Sequence, residues 1–198
     1  MHFRIIPITQ LSEKQTAELA SLHQRVMHSL LSDLGLPVIE RYYRLARKAS
    51  TMIGFCALSE AGRLLGWVIG SSKPNQIHDR LREAFPGFIF QMIRVLVRRP
   101  RVIAQLFASL RTAAAPLPAG AIELTYLGVD ALIRRQGIGR EILGAFLQAA
   151  RAAKYRYVVL SVEAENKDAI ALYTRAGFRI TQTFTEGNFH RHRMELTL

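Results

Sequence analysis

The chain has 198 residues, of which 49% are hydrophobic, so it can bury a sizeable core and is not globally disordered. Its single cysteine, Cys56, excludes an internal disulfide, fits a reducing compartment and is expected to be a small core residue. The formal net charge of +12 predicts an anionic partner such as a nucleotide, a nucleic acid, a membrane surface or an acidic glycan. The alternative is a generally basic, soluble surface.

The N-terminal stretch "MHFRIIPITQ" lacks the basic-then-apolar layout of a signal peptide. The most apolar run, residues 85–97, is too short to span a bilayer and contains Arg94. The sequence therefore predicts a cytoplasmic protein without a transmembrane segment.

The first part of the chain predicts a strand, two helices and a hairpin. A strand is expected over residues 2–9. Apolar spacing after the capping residue Ser12 predicts a helix over 12–34, ended by Gly35 and Pro37. A shorter helix is predicted over 39–50, and two strands over 51–72 are expected to turn at residues 60–62.

Residues 73–120 interrupt this alternation. They contain two apolar stretches with helical spacing, divided at Pro100, and a return segment rich in alanine and proline. Between Lys73 and Arg111 stand eight basic and two acidic residues, which supply half of the net charge. We interpret 73–120 as a helical insertion in one domain that covers residues 1–198.

The remaining elements alternate between strand and helix. Strands are predicted over 121–130 and 155–165, and helices over 136–154 and 166–178, the second capped by Asn166 and ended by Gly177. The last residues predict a hairpin that turns at 186–188.

The stretch "RRQGIGREILGAF" places glycines and arginines at the start of a predicted helix. A helix N-terminus offers free N–H groups, and glycine lets a ligand approach the backbone, so the stretch predicts a phosphate site at Gly137 and Gly139. Arg134, Arg135 and Arg140 could add charge-assisted hydrogen bonds. Neither a Walker loop nor a dinucleotide fingerprint fits these residues. A turn without a ligand is the alternative.

Two motifs in the C-terminal half resemble those of the GNAT superfamily of acyl-CoA-dependent N-acyltransferases. Its pyrophosphate loop, Gln/Arg-x-x-Gly-x-Gly/Ala, is matched by residues 134–139. Its later signature is matched by Asn166, Ala169, Leu172, Tyr173, Gly177 and Phe178. The resemblance is close over residues 121–180, which we expect to form the acyl-CoA-binding core, and it is weaker over 1–72.

The resemblance implies a mixed α/β fold. The expected sheet has about seven mostly antiparallel strands with splayed middle strands, flanked by helices, and the insertion lies between the third and fourth strands. The implied cosubstrate is acetyl-CoA, with no metal. The residues that the resemblance assigns to the cosubstrate are Leu127, Gly128, Val129, Arg134, Arg135, Gln136, Gly137, Ile138, Gly139, Arg140 and Asn166.

The resemblance also suggests two catalytic residues. Tyr173 matches the usual general acid, which would protonate the leaving sulfur; the alternative is a core aromatic packed on the same helix face as Ile170. Glu123 stands where some members carry a general base. A glutamate is costly to bury in the otherwise apolar strand "AIELTYLGV", which supports a functional site, although a solvent-facing position is equally consistent. His23, His28 and Tyr126 are weaker substrate-side candidates.

The predicted activity is transfer of an acetyl group to a primary amine. A small-molecule acceptor is favoured slightly over a protein, because the insertion could narrow the acceptor side. Two alternatives remain: an acyl-CoA-binding sensor without turnover, and a nucleic-acid or membrane-surface module built on the basic insertion with its four phenylalanines. No specific nucleic-acid binding is expected. A homodimer is also possible. His190 and His192 alternate along a predicted strand and could bind a metal, but no metal site is expected.

Overall fold

A computed structural model describes residues 2–74, 117–186 and 189–198, without the side chains of Leu30 and Glu186. The segment 75–116, which holds almost all of the predicted helical insertion, lies outside the described residues, so its two helices stay a prediction. The described strands and helices are β1 (Phe3–Pro7), α1 (Glu13–Val26), α2 (Leu30–Asp33), α3 (Leu36–Ala46), β2 (Met52–Ser59), β3 (Leu64–Ser71), β4 (Ala121–Val129), α4 (Ile138–Ala152), β5 (Tyr157–Glu163), α5 (Lys167–Arg175), β6 (Arg179–Glu186) and β7 (Phe189–Thr197).

The strands form one seven-stranded sheet in the order β1-β2-β3-β4-β5-β7-β6. Every neighbouring pair is antiparallel except β4 and β5, which run parallel. The predicted mixed α/β fold with a mostly antiparallel sheet is therefore confirmed. No helix in the described parts of the chain is long and apolar enough to cross a membrane.

The sheet separates two apolar cores. On one face, which we call the α1/α3 face, residues of α1 and α3 pack against Trp67 and Ile69 of β3. On the other, the α4/α5 face, residues of α4 and α5 pack against Ile122, Leu124 and Leu160. Because side chains alternate along a strand, the position of a residue in β4 or β5 decides which core its side chain enters.

The helix predicted over 12–34 is wrong in its length. Ser12 caps α1 as predicted and forms a capping box with Gln15. However, α1 ends at Val26, and Met27 has extended dihedral angles (φ −115°, ψ 122°). The Ser32 hydroxyl donates to the Met27 carbonyl, and the Ser32 N–H donates to the Ser29 hydroxyl. Serine side chains thus replace the helical hydrogen bonds, a competition that apolar spacing does not report.

The prediction that Pro37 ends a helix is also wrong, because Pro37 lies at the start of the next one. Pro37 lies in the first turn of α3, where a helix needs no proline N–H, and Gly35 is the N-cap with φ 90°. The helix consequently begins three residues before the predicted position and ends at Ala46. The buried side chains of this amphipathic helix include Val38, Ile39, Tyr42, Tyr43 and Ala46.

Candidate active site

Strands β4 and β5 separate after three paired positions. Their pairing covers Ala121–Glu123 opposite Tyr157–Val159, and within the described residues it ends with Glu123 and Val159. Residues 124–129 of β4 and 160–163 of β5 then diverge, while each strand stays paired on its other side. We call this gap the fork. Among the strands that the structure describes, none pairs with this edge of β4 along Leu127, Gly128 and Val129, as the prediction of splayed middle strands requires.

The open edge of β4 is held from the α1/α3 face by a tryptophan. A Cβ on Gly128 would lie 2.4 Å from the Trp67 ring, closer than any real contact. Glycine is therefore required at 128 by packing within the protein. The fully buried Trp67 packs against Gly128 from the α1/α3 face and does not lie along the edge of β4 that faces the fork.

The glycine-rich loop leads from the end of β4 into α4. Gly137 is the N-cap of α4 in the left-handed region, with φ 84°, and a Cβ added there would meet no atom within 4 Å. Within the described residues, the N–H groups of Ile138, Gly139 and Arg140 have no acceptor, and the first helical bond runs from Glu141 N–H to the Gly137 carbonyl. The helix end therefore combines free donors with open space, which fits a phosphate group.

The arginines near this loop are differently placed. The Arg134 Nε donates weakly to the Val129 carbonyl at 3.5 Å, so this side chain folds back along β4. Arg135 has φ 64° and lies 4.0 Å from Asp168, with both side chains almost fully exposed. Arg140 and Gln136 are exposed. Exposed ion pairs contribute little to stability, so Arg135 is available to an anionic ligand.

Asn166 has a structural task in the described chain. Its Oδ1 accepts a hydrogen bond from the Ala169 N–H at 3.2 Å and caps the start of α5. The capping oxygen is engaged by this bond. Contact between Asn166 and a cosubstrate stays a prediction.

Tyr173 lies in the core of the α4/α5 face and is 6% exposed. Its ring contacts that of Phe178, with centroids 5.6 Å apart. Burial raises the pKa of the phenol, so the hydroxyl keeps its proton at neutral pH. The packing expected for a core aromatic is present, and the catalytic role stays a prediction.

Glu123 lies at the closed end of the fork. Its neighbours Ile122 and Leu124 enter the core of the α4/α5 face, so its own side chain extends from the α1/α3 face. There the Arg193 Nη1 lies 3.0 Å from the Glu123 Oε1, and the two side chains are only 13% and 18% exposed. A solvent-facing position is thus the wrong description of Glu123.

A profile of the Acetyltransferase (GNAT) family matches residues 17–178, which is most of the chain. The chain belongs to the GNAT family. The glycine loop at the start of α4 and the α5 segment with Tyr173 both lie within this match. A comparison with curated protein sequences found no match.

Solved structures of N-acetyltransferases share this GNAT fold at low sequence identity. The Escherichia coli ribosomal-protein-S18-alanine N-acetyltransferase has 16% identity and a TM-score of 0.61, over 99% of this chain and 94% of that chain. An N-acetyltransferase of Staphylococcus aureus Mu50 has 15% identity and a TM-score of 0.64, over 100% of this chain and 99% of that chain. The PaiA N-acetyltransferase of Thermoplasma acidophilum, in complex with coenzyme A, has 11% identity and a TM-score of 0.63, over 100% of both chains.

An aromatic cluster lies beside the fork of this GNAT chain. The sequence singled out its members His23 and Tyr126 separately, but not their contact. His23, which is 0% exposed, lies between Tyr43, Trp67 and Tyr126, with ring centroids 4.8–5.7 Å away. Its Nδ1 is 2.7 Å from the Tyr43 hydroxyl, and its Nε2 is 3.2 Å from the Ser29 hydroxyl. These residues are far apart in sequence, so their contact could not be predicted from a local pattern. The signal that the sequence does contain is the position of His23 on the apolar face of α1.

Burial sets the proton states of this cluster. It lowers the pKa of His23 to about 4, so the imidazole is neutral at pH 7. The pKa of Tyr126 is raised to about 12, first by burial and also by Glu123, although Arg191 and a hydrogen bond with Ser29 oppose the shift. Both side chains are uncharged at neutral pH and form a neutral wall near Glu123.

His190 and His192 do not form a metal centre with other described residues. Their Nδ1 atoms lie 3.2 Å from the Thr185 hydroxyl and 2.9 Å from the Thr183 hydroxyl, on the exposed surface of β6 and β7. Within the described ranges, no group of three His, Cys, Asp or Glu side chains could hold a metal ion. Cys56 is fully buried, and burial raises the pKa of its thiol, which agrees with the predicted core position.

Proposed function

We propose that this protein transfers an acetyl group from acetyl-CoA to a primary amine by direct attack. The observation that carries the proposal is the fork, which opens the sheet between Glu123 on the α1/α3 face and Tyr173 on the α4/α5 face. A proton acceptor and a proton donor on opposite faces of a sheet can serve one reaction only through such an opening. The family match supports acetyl transfer as its chemistry.

The residues along the fork fit an acyl-CoA. The open edge of β4 at Leu127, Gly128 and Val129 offers backbone groups to the amide-containing pantetheine arm. The loop that follows β4 offers the free N–H groups of α4 to the pyrophosphate. Because the chain runs directly from this edge into the loop, one extended ligand could use both.

Glu123 is proposed to accept a proton from the amine. A lysine-like amine has a pKa of about 10.4, so it is mostly protonated at pH 7 and must lose a proton before it attacks. The Arg193 guanidinium 3.0 Å away stabilises the ionised carboxylate, which is the proton-accepting form. The neutral nitrogen then attacks the thioester carbonyl and releases its second proton to solvent. The C–S bond breaks as the tetrahedral intermediate collapses to the amide.

Tyr173 is proposed to give its proton to the departing sulfur. Burial keeps the phenol protonated, which makes the proton available, but the raised pKa also makes the phenol a weaker acid than a thiol of pKa about 8.5. Transfer therefore requires the sulfur to come within hydrogen-bond distance of the hydroxyl while the C–S bond breaks. Solvent then restores the proton of Tyr173. Backbone N–H groups of β4 would hold the oxyanion.

We propose a small amine as acceptor. The aromatic cluster around His23 walls the α1/α3 face beside Glu123 with buried side chains, which favours a compact acceptor over an extended peptide. A protein acceptor is the competing case, since the Escherichia coli structural relative is by name an alanine N-acetyltransferase of a ribosomal protein.

The test is a turnover assay with acetyl-CoA and three amine classes: a polyamine such as spermidine, an amino sugar such as glucosamine, and an alanyl peptide. Release of CoA thiol is measured with and without each amine. Amine-dependent release with the matching N-acetyl product is expected for one of the small amines. Tight CoA binding without turnover of any class would favour an acyl-CoA sensor.

A further inference from the structure

Three strands meet in one polar contact at the closed end of the fork. The Nη1 of Arg193 on β7 lies 3.0 Å from the Oε1 of Glu123 on β4 and 3.2 Å from the hydroxyl of Ser161 on β5. Arg193 is directly opposite Ser161 in the register, and Glu123 is opposite Val159. The arginine side chain therefore crosses β5 to reach β4 at the last pair before the two strands separate.

This contact is desolvated. The Arg193 and Glu123 side chains are 13% and 18% exposed, so water can solvate either charge only in part. A carboxyl group in such a place tends to take up a proton unless a cation stabilises its ionised form. A protonated carboxyl could not accept the proton of an ammonium group. The ion pair with Arg193 consequently favours the ionised form of Glu123, the form that can act as a base.

Other titratable and charged groups also lie near Glu123. Tyr42 of α3 and Tyr126 of β4 act electrostatically on the same carboxylate, and both are neutral at pH 7 because burial raises their pKa values. Arg191, two residues from Arg193 on β7, acts on Tyr126 and contributes positive charge on the same face. The contact of Arg193 with Glu123 is a direct one, with 3.0 Å between the Nη1 and the Oε1.

We propose that Arg193 is a positioning residue for the transfer reaction: with Ser161 holding its guanidinium, it keeps Glu123 ionised and fixed at the closed end of the fork. This inference rests on the proposed role of Glu123 as the base. Arg193 itself contacts neither the amine nor the thioester in this scheme. A purely structural brace between β4, β5 and β7 is the competing explanation, and it predicts no change in the pH dependence of the reaction.

The test compares the wild type with Arg193→Met, which removes the charge, and Arg193→Lys, which keeps it. Arg179→Met is the matched control, because Arg179 is an exposed arginine on the neighbouring strand β6. Each protein is assayed from pH 5 to pH 10 with acetyl-CoA and the most active amine of the turnover assay. Isotope-edited infrared difference spectra against Glu123→Gln, recorded without any amine, report the protonation of Glu123 independently.

For Arg193→Met we expect kcat at pH 7 to fall roughly ten-fold or more and the acid limb of the pH–rate profile to move up by about one pH unit. At pH 5 the infrared signal of a protonated Glu123 should appear in this variant and be absent from the wild type. Arg193→Lys should restore the acid limb, and Arg179→Met should match the wild type.

Two results would overturn the inference: an unchanged acid limb in Arg193→Met, or a Glu123 whose infrared titration is the same in all four proteins. A wild type that turns over no amine would instead refute the proposed function. The infrared spectra would still decide whether Arg193 keeps Glu123 ionised, so the two failures are distinguishable.

Discussion

Tyr173 combines packing and proposed chemistry in one side chain. Its ring belongs to the core beside Phe178, whereas only its hydroxyl could serve as the acid. Within the described residues the hydroxyl makes no hydrogen bond, so its removal should cost the fold little. The two roles can therefore be separated by deleting a single oxygen.

Tyr173→Phe should lower turnover by roughly 10²-fold or more and leave the affinity for CoA nearly unchanged. The reason is that the ring keeps its contacts with Phe178 while the proton donor is lost. Steady-state kinetics and CoA titration check the two parts. Wild-type turnover in Tyr173→Phe would show that Tyr173 is a core aromatic only.

His23 should make stability depend on pH. Its pKa of about 4 in the folded protein lies below its ordinary value of 6.5, so the unfolded chain binds a proton first as the pH falls. The stability linked to neutral His23 is fully present above about pH 6.5 and is lost as the pH falls towards 4. Between pH 7 and pH 5 the loss is about 2 kcal/mol by the linkage relation.

Urea unfolding at pH 7 and pH 5 checks this prediction. His23→Gln should be less stable at pH 7, because it loses the ring contacts, but should show about 2 kcal/mol less pH dependence than the wild type. His190→Gln is the control, since His190 is exposed on β7 and should retain the wild-type difference. Equal pH dependence in the wild type and His23→Gln would contradict the neutral, buried state of His23.

At the scale of elements, apolar periodicity predicted the strands and helices well, but it did not predict where helices stop. The predicted helix over 136–154 is present as α4, and the hairpin of β2 and β3 turns where expected. The turn predicted at 186–188 falls mostly on residues 187 and 188, which lie outside the described residues. The helix over 12–34 instead ends at Val26, because Ser29 and Ser32 form local hydrogen bonds there. Such bonds depend on side-chain partners that spacing alone does not specify.

The start of α4 should bind the pyrophosphate of CoA. Gly137→Val with Gly139→Val fills the open space at the helix end and forces a β-branched residue into the left-handed region. CoA should raise the melting temperature of the wild type, by an amount equivalent to about 2.7 kcal/mol at 100 times Kd, and should barely shift the double variant.

The control for this loop lies in the same helix. A Cβ added at Gly144 of α4 would also meet no atom within 4 Å, but this glycine is two turns further along. Gly144→Val should keep the full CoA-induced shift, because the change is remote from the helix N-terminus. A full shift in the double variant, measured by thermal unfolding with and without CoA, would show that the loop is only a turn.

In the molecule as a whole, the sheet supports the candidate site and also separates its residues onto two faces. Glu123 and Tyr173 lie on opposite faces of the sheet, and under the proposed function they serve one reaction through the separation of β4 from β5. The net charge of +12 is a second global property, and the residues between Lys73 and Arg111 supply half of it. Almost all of them lie outside the described residues.

The basic insertion should not be needed for CoA binding. Changing Arg98, Arg99 and Arg101 to Gln should leave the CoA-induced melting shift nearly unchanged, because the glycine loop and β4 lie elsewhere in the chain. We expect no specific binding of the wild type to DNA or anionic vesicles at physiological salt. Gel-shift and vesicle-sedimentation assays check this expectation. Binding that persists at physiological salt in the wild type and is lost in the triple variant would favour a nucleic-acid or membrane-surface partner.

The family, the order of most elements and the loop at Gly137 could be predicted from the sequence, because they depend on local pattern and on residues close together in the chain. The placement of Glu123 could not be predicted in this way. Its partners Arg193 and Ser161 come from strands that follow it by 70 and 38 positions, and no local pattern links them. The same holds for His23 with Tyr43 and Tyr126. Burial and charge pairing depend on contacts between segments that are distant in the sequence. These contacts in turn determine which side chains carry a proton.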